Sequence, residues 1–203
     1  MNDAKPPRGN QKSTLAVGTD GRTERTVRTR HAIVSAILDL VRAGNLAPTG
    51  EEIAQYARVG HRTVFRHFQD MESLLNEVNE RVQVIVQEGL AETPSAGSLS
   101  QRIDKLVDVR ARVFEQILMY YASAGVRSHT SPTVKRSRSQ FARYQREHLL
   151  RWIPEAGSAI ETIDLLTSVD GWLRLRWAQR LSVEQAKRAL ASSLSLLLTS
   201  PVN

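Results

Sequence analysis

Three times in this chain a Ser or Thr stands three residues ahead of a Glu or Gln at the edge of an apolar stripe: Thr49 and Glu52, Ser98 and Gln101, Ser182 and Gln185. That spacing is the capping box, in which the two side chains satisfy each other's backbone N–H groups at a helix start. Three helix origins are thereby marked, in the first, middle and last parts of the chain. No run between them alternates apolar and polar residues with period 2. The chain therefore reads as all-α.

The apolar spacing fills in the remaining helices. Ile33, Ala36, Ile37, Leu40 and Val41 lie on one face of a helix from about Arg25, with Gly44 as its stop and Pro48 blocking continuation. The box at Thr49 opens a short helix carrying Ile53, Ala54 and Ala57. Arg58, Val59 and Gly60 form a turn, and a third short helix runs from His61 to about Phe68. Asp70 caps a fourth, striped by Leu74, Leu75, Val78, Val82 and Ile85. Thr93 to Gly97 is the clearest break. The next helix, from Ser98, carries Ile103, Leu106, Val107, Val113, Phe114, Ile117, Leu118 and Tyr121. Residues 133–153, 159–180 and those after Ser182 complete a count of about nine helices.

Composition narrows the function. The absence of Cys excludes disulfides, thiolate zinc sites and cysteine nucleophiles, and suits the cytoplasm. No apolar run approaches the ~18 residues of a membrane span, so no membrane partner is expected. His61 and His67 fall on different helix faces, and His129 and His148 stand alone, so neither metal nor cofactor is expected. No nucleophile elbow or Gly-rich phosphate loop occurs, so the chain reads as a non-enzyme. Net charge is +7 and the pI about 10.2, which favours nucleic acid as a partner. Residues 1–48 hold eight Lys/Arg against four Asp/Glu, so the excess is concentrated early. Residues 1–24, poor in large apolar side chains, read as a disordered basic tail. Lys135, Arg136, Arg138, Arg143 and Arg146 read as a solvated face.

Two short helices joined by a tight turn make a helix-turn-helix, whose second helix lies in the major groove and offers donors to base edges. His61, Arg62, Thr63, Arg66 and His67 are polar, while Val64 and Phe68 anchor the helix. Arg pairs bidentately with guanine O6 and N7. By itself the segment equally fits a solvated surface helix.

As an ordered series, these residues resemble the tetracycline-repressor (TetR) family. The likeness runs from Arg30 through the Ile33/Ala36 spacing, Thr49, Glu52-Ile53-Ala54, Ala57, Val59, Arg62-Thr63 and Phe65-Arg66-His67-Phe68 to Glu72, Leu74 and Leu75. A fainter likeness covers Trp172 to Arg176 and Gln179 to Ser182. The resemblance implies a three-helix DNA-binding unit, residues 25–70, followed by a larger helical domain, residues 71–203, for ligand binding and dimerisation. It implies phosphate contacts from Thr49, Thr63 and His67, and base-edge or phosphate contacts from His61, Arg62 and Arg66. Arg30 joins the expected DNA contacts, as does Phe65, which stands where the family commonly has Tyr. Other departures are Arg58 and Gly60 in place of the usual Gly and Ser, and Met71 in place of Lys. A positive φ at Arg58 would cost ~1 kcal/mol.

The expected function is a sequence-specific transcription regulator, a repressor of a palindromic double-stranded operator, controlled by a small-molecule effector. The alternatives are a ligand-independent architectural DNA-binding protein and a helical ligand carrier or enzyme. Aromatic residues gather in the C-terminal part, and a ligand pocket is expected from Arg110, Phe114, Tyr121, Phe141, Asp170, Leu173 and Trp177. Arg110 and Asp170 sit on apolar stripes, where an unpaired charge is costly, so they are expected to pair or to orient a ligand. The helix from Ala159 to Arg180 has two apolar faces, and one buried face is enough for a monomer. A homodimer interface is therefore expected from Leu165, Val169, Trp172, Arg176, Ala189, Leu190, Leu194 and Leu197, with Gly171 admitting a neighbouring helix.

Overall fold

The computed structural model describes residues 18–94 and 97–199, with backbone alone at 18–20. Nine α-helices occur among them, and no strand. They are α1 (Gly18–Arg42), α2 (Gly50–Tyr56), α3 (His61–His67), α4 (Met71–Gly89), α5 (Leu99–Arg127), α6 (Pro132–Trp152), α7 (Ile160–Leu166), α8 (Val169–Leu173) and α9 (Val183–Thr199). No helix among the described residues is long and apolar enough to cross a membrane.

All three expected capping boxes form, because each depends only on residues within one turn. Thr49 and Glu52 start α2, Ser98 and Gln101 start α5, and Ser182 and Gln185 bond reciprocally ahead of α9. Asp70 caps α4 in the same way through Ser73. Helix α1 begins at Gly18, seven residues before the expected start; the rest of the expected tail, residues 1–17, lies outside the described residues. Residues 21–28 are exposed on every side. They continue a helix nucleated further along, since adding a residue to an existing helix is far cheaper than starting one.

Helix α5 is the axis of the C-terminal domain. Val109, Arg110, Ala111, Val113 and Phe114 are all buried, so it is surrounded rather than packed on one face. Against it lie α4, α6, α8 and α9. Gly89 lets α4 close on α5, where an added Cβ would fall 2.4 Å from Val113 Cγ2.

The expected helix from 159 to 180 is broken. Pro154–Ala159 forms a 3₁₀ turn, α7 stops at Leu166, α8 restarts at Val169, and Arg174–Ala178 is a π turn. The cause is Arg110, only 2% exposed. Its Nη1 donates to Thr167 O at 2.7 Å and to Thr167 Oγ1 at 2.8 Å, its Nη2 to Gln145 O, and its Nε faces His148 Nδ1 at 3.4 Å. Gln145 Oε1 then accepts the first free N–H of α8, from Val169, at 2.9 Å. Ser168 adds its hydroxyl to Gly171 N. Both raw helix ends are thus satisfied inside the protein. Gly171 is needed here because a Cβ would meet Leu166 O at 2.6 Å. The close neighbour is this chain's own α7, not another chain's helix.

The same break turns the expected dimer face inward. Val169, Trp172 and Leu194 are at most 1% exposed and Leu190 is buried, all packed within the chain. Trp172 Nε1 donates to Glu115 Oε1 at 2.7 Å, and Arg176 grips the same carboxylate. Leu165, Ala189 and Leu197 of that set keep an outward share, as does Arg176 in part.

His148 lies fully buried beside Arg110, and Trp152 Nε1 donates to its Nε2 at 3.1 Å. A neutral imidazole accepts at one nitrogen only, so a given tautomer takes just one of the two donors, and the shorter contact is that of Trp152. Burial first, then the charges of Arg110 and Arg151, lower its pKa from 6.5 to about 3. Below pH 6.5 the unfolded chain takes up a proton that the folded one refuses until about pH 3. Its contribution is therefore intact above 6.5 and is lost as pH falls through that window. We expect the melting temperature of the wild type to fall more steeply than that of His148→Gln across this range; parallel curves would show that His148 does not set it.

Candidate nucleic-acid interface and ligand cavity

Helix α2 ends in a Schellman-type turn. Val59 N–H reaches back to Ala54 O at 3.0 Å and Arg58 N–H to Gln55 O at 3.1 Å. The turn forces Arg58 to φ 55°, the left-handed region that favours Gly. Gly60 then caps α3 without a side-chain acceptor.

Helix α3 is pinned from inside by Val64 and, just past its end, Phe68, both buried. Arg30 of α1 holds its far end. The guanidinium stacks on the Phe68 ring at 4.2 Å, donates to His67 O at 2.7 Å and pairs with Glu77 of α4. Arg30, expected at the DNA, is a clamp joining α1, α3 and α4, and its side chain keeps 42% exposure. Thr49, expected at a phosphate, gives both its N–H and its hydroxyl to Glu52.

What remains outward on α3 is a polar edge. Arg62 and Arg66 are exposed and make no ion pair among the described residues. His61 packs edge-on against Phe65 at 4.9 Å, and both rings lie over Gly50 at the start of α2. Thr63 and His67 are half-buried. Burial, then the charges of Arg66 and Arg30, lower the His67 pKa below its usual value, which favours the neutral ring. Arg22, Arg25 and Arg28 are exposed on the first turns of α1.

A second feature lies deeper. A cavity of about 410 Å³ opens between α1, α4, α5 and α6. Helical spacing aims its walls: Leu75, Val78, Asn79, Val82 and Val86 from α4, Tyr120, Ser123, Ala124 and Arg127 from α5, and Val134, Arg138, Phe141 and Tyr144 from α6. Ile37 and Val41 reach in from α1.

Of the expected pocket residues, the structure brings Tyr121 and Phe141 together here, edge to face at 6.0 Å. Arg110 and Phe114 are core, while Leu173 and Trp177 lie outside the lining. Trp177 is 42% exposed because the π turn swings it out. Asp170 does not meet Arg110. It accepts the Tyr121 hydroxyl at 2.6 Å and faces Arg138 at 3.4 Å, with Arg138 stacked on the Tyr121 ring. Arg138 and Arg143, expected on a solvated face, both line the cavity. Asn79, Tyr120 and Arg127 were not expected there. The signal available was an Arg two turns after Tyr120 on one helix stripe.

This arrangement is the fold of the TetR-family transcriptional regulators, a short helix-turn-helix unit on a larger all-helical domain. A transcriptional regulator from Rhodococcus sp. Rha1 superposes with a TM-score of 0.67 at 19% identity, over 83% of this chain and 95% of its own. A protein assigned to the TetR family, from Rhodococcus sp., gives 0.59 at 17% identity, over 85% of this chain and 100% of its own. A further one, from Mesorhizobium loti, gives 0.53 at 18% identity, over 86% and 96%. No protein-family model and no curated protein matches the sequence.

Arg58 is exposed, so its replacement changes the turn and little else. Arg58→Gly removes the left-handed penalty, against some loss from a more flexible unfolded chain. We expect a net gain of about 1 kcal/mol or less in chemical denaturation; a loss of stability would mean that the side chain itself supports the turn.

Proposed function

We infer that the protein is a sequence-specific DNA-binding transcription regulator, a repressor acting in the cytoplasm as a homodimer, whose operator affinity is controlled by a small molecule in the α1–α4–α5–α6 cavity. The observation that carries this reading is the outward edge of α3. A helix of seven residues, clamped at its end by Arg30, presents Arg62 and Arg66, which are exposed and make no ion pair among the described residues. Such a helix suits the major groove, where each Arg can take a guanine. Thr63 and His67, half-buried on the same helix, would take the phosphates beside it, and the fold shared with known regulators supports the same use.

Dimerisation is placed on a face revised from the sequence expectation. Leu165 and Leu196 are each 67% exposed, and Trp177 joins them as the third large exposed apolar residue between Ile160 and Thr199. Ala189 and Leu197 complete that outer side of α9. Two copies joined there would give matching patches about a two-fold axis and two recognition helices for one palindrome.

The first test is operator selection from random DNA, followed by titration of variants. Arg62→Ala and Arg66→Ala should each weaken specific binding by about 1–3 kcal/mol where the Arg reads a base. Half-sites should lie about 34–36 Å apart or a multiple of it. Unchanged affinity in the double variant would end the reading. For the interface, Leu165→Glu/Leu196→Glu should sediment as a monomer at micromolar concentration and lose tight palindrome binding. A double variant that stays dimeric would place the interface elsewhere.

A further inference from the structure

Among the described residues, three buried polar atoms lack a hydrogen-bond acceptor: Asn79 Nδ2, Tyr120 OH and Arg127 Nε. All three residues line the one cavity between α1, α4, α5 and α6, and Arg42 of α1 lies beside the Tyr120 ring at 5.8 Å. Asn79 Nδ2 and Arg127 Nε can only donate and the Tyr120 hydroxyl can donate as well as accept, so what the cavity lacks is an acceptor. Buried donors are almost always satisfied, and three left open in one place mark a site made for a group that brings acceptors with it.

Arg127 decides the kind of acceptor. It lies in the last turn of α5, and its Nη2 donates to Pro48 O at 2.9 Å. No carboxylate comes within 4 Å of it among the described residues. The charge that reaches it belongs to Glu72, whose Oε2 is already held by Ser131 Oγ and Thr133 N at the start of α6. Burial penalises the Arg127 charge, and an anion beside Nε would relieve that penalty. The other lining cations are differently placed. Arg138 already faces Asp170 and stacks on Tyr121, while Arg143 is exposed at the rim with Glu147. The remaining walls are chiefly aliphatic and aromatic, and about 410 Å³ suits a small organic molecule.

We propose that this cavity binds an amphipathic organic anion, with its apolar body against Val78, Val82 and Phe141 and its carboxylate on Arg127. The proposal rests on reading the cavity as the effector site and specifies the chemistry of the effector. It also gives Arg127 two tasks: its Nε reads the anion, and its Nη2 holds Pro48 O, one residue before the cap of α2.

The test compares acids with neutral isosteres on the full chain by calorimetry: 2-naphthoate against 2-naphthamide, and decanoate against decanamide. The two pairs separate aromatic from aliphatic bodies. At least one acid should bind about tenfold or more tightly than its amide, as expected for a charge-assisted pair. Arg127→Gln should remove most of that preference and leave amide binding nearly unchanged, whereas Arg143→Gln should preserve it. Amides binding as tightly as acids, an acid preference that survives Arg127→Gln, or no binding of either acid at millimolar concentration would overturn the proposal. Should Arg127→Gln fail to fold, the acid-against-amide comparison on the wild type decides alone. Operator anisotropy is read separately: acid binding through Arg127 without any change in operator affinity supports this proposal and overturns effector control.

Discussion

A guanidinium with no carboxylate partner sits inside the C-terminal helices, and their arrangement follows from satisfying it. Burial lowers the Arg110 pKa to about 10, with the charge of Asp164 opposing, so it stays protonated at neutral pH. A buried cation must be matched by oxygen atoms. Thr167 O, Thr167 Oγ1 and Gln145 O supply them. Thr167 O is available only because α7 ends there, and a helix C-terminus carries the partial negative charge that suits a cation. The break between α7 and α8 is thus the other half of the Arg110 site. Gln145 joins the two halves, giving its backbone oxygen to Arg110 and its side-chain oxygen to Val169 N–H.

This long-range bonding separates what was legible in the sequence from what was not. The capping boxes at Thr49, Ser98 and Ser182 were readable because their partners are three residues away. The break at Thr167 was not, because Arg110 lies 57 residues from it and Gln145 lies 24 from Val169. An uninterrupted helix from 159 to 180 would show two apolar faces, and a second face suggested a partner chain. With the helix broken, much of both faces finds cover at home, Trp172 and Arg176 on Glu115 of α5 and Val169 on Gln145 of α6, while Leu165 and Trp177 stay exposed.

The site was legible to the same degree and for the same reason. The order of residues across the helix-turn-helix is local and identified α3. The task of Arg30 depends on Phe68 and Glu77, brought to it only by the packing of α3 and α4, so its charge suggested DNA where the structure shows a clamp. In the cavity, Tyr121 and Phe141 stood out as aromatics. Arg127 looked like an ordinary basic residue in the last turn of a helix. Its partners are distant in sequence: Pro48 O, 79 residues away, accepts from its Nη2, and the charge of Glu72 reaches it.

Those contacts also decide how the two halves of the molecule can influence each other. Helix α5 meets the segment before α2 twice, through Ser123 Oγ to Leu46 O at 2.7 Å and Arg127 Nη2 to Pro48 O at 2.9 Å. Both side chains line the cavity, as do Ile37 and Val41 of α1. Helix α1 in turn carries Arg30, which fixes the end of α3. An occupant of the cavity therefore touches the supports of α3 from two sides without touching α3. Contact alone shifts nothing. An occupant alters the placement of α3 only by as much as it binds one arrangement of these supports better than another. Val78 and Val82 lie on α4 beside Glu77 and would meet an apolar body in any arrangement. Arg127 holds Pro48 O and leaves its Nε to the cavity, so a charged group on Nε is the part of an occupant best placed to discriminate between such arrangements.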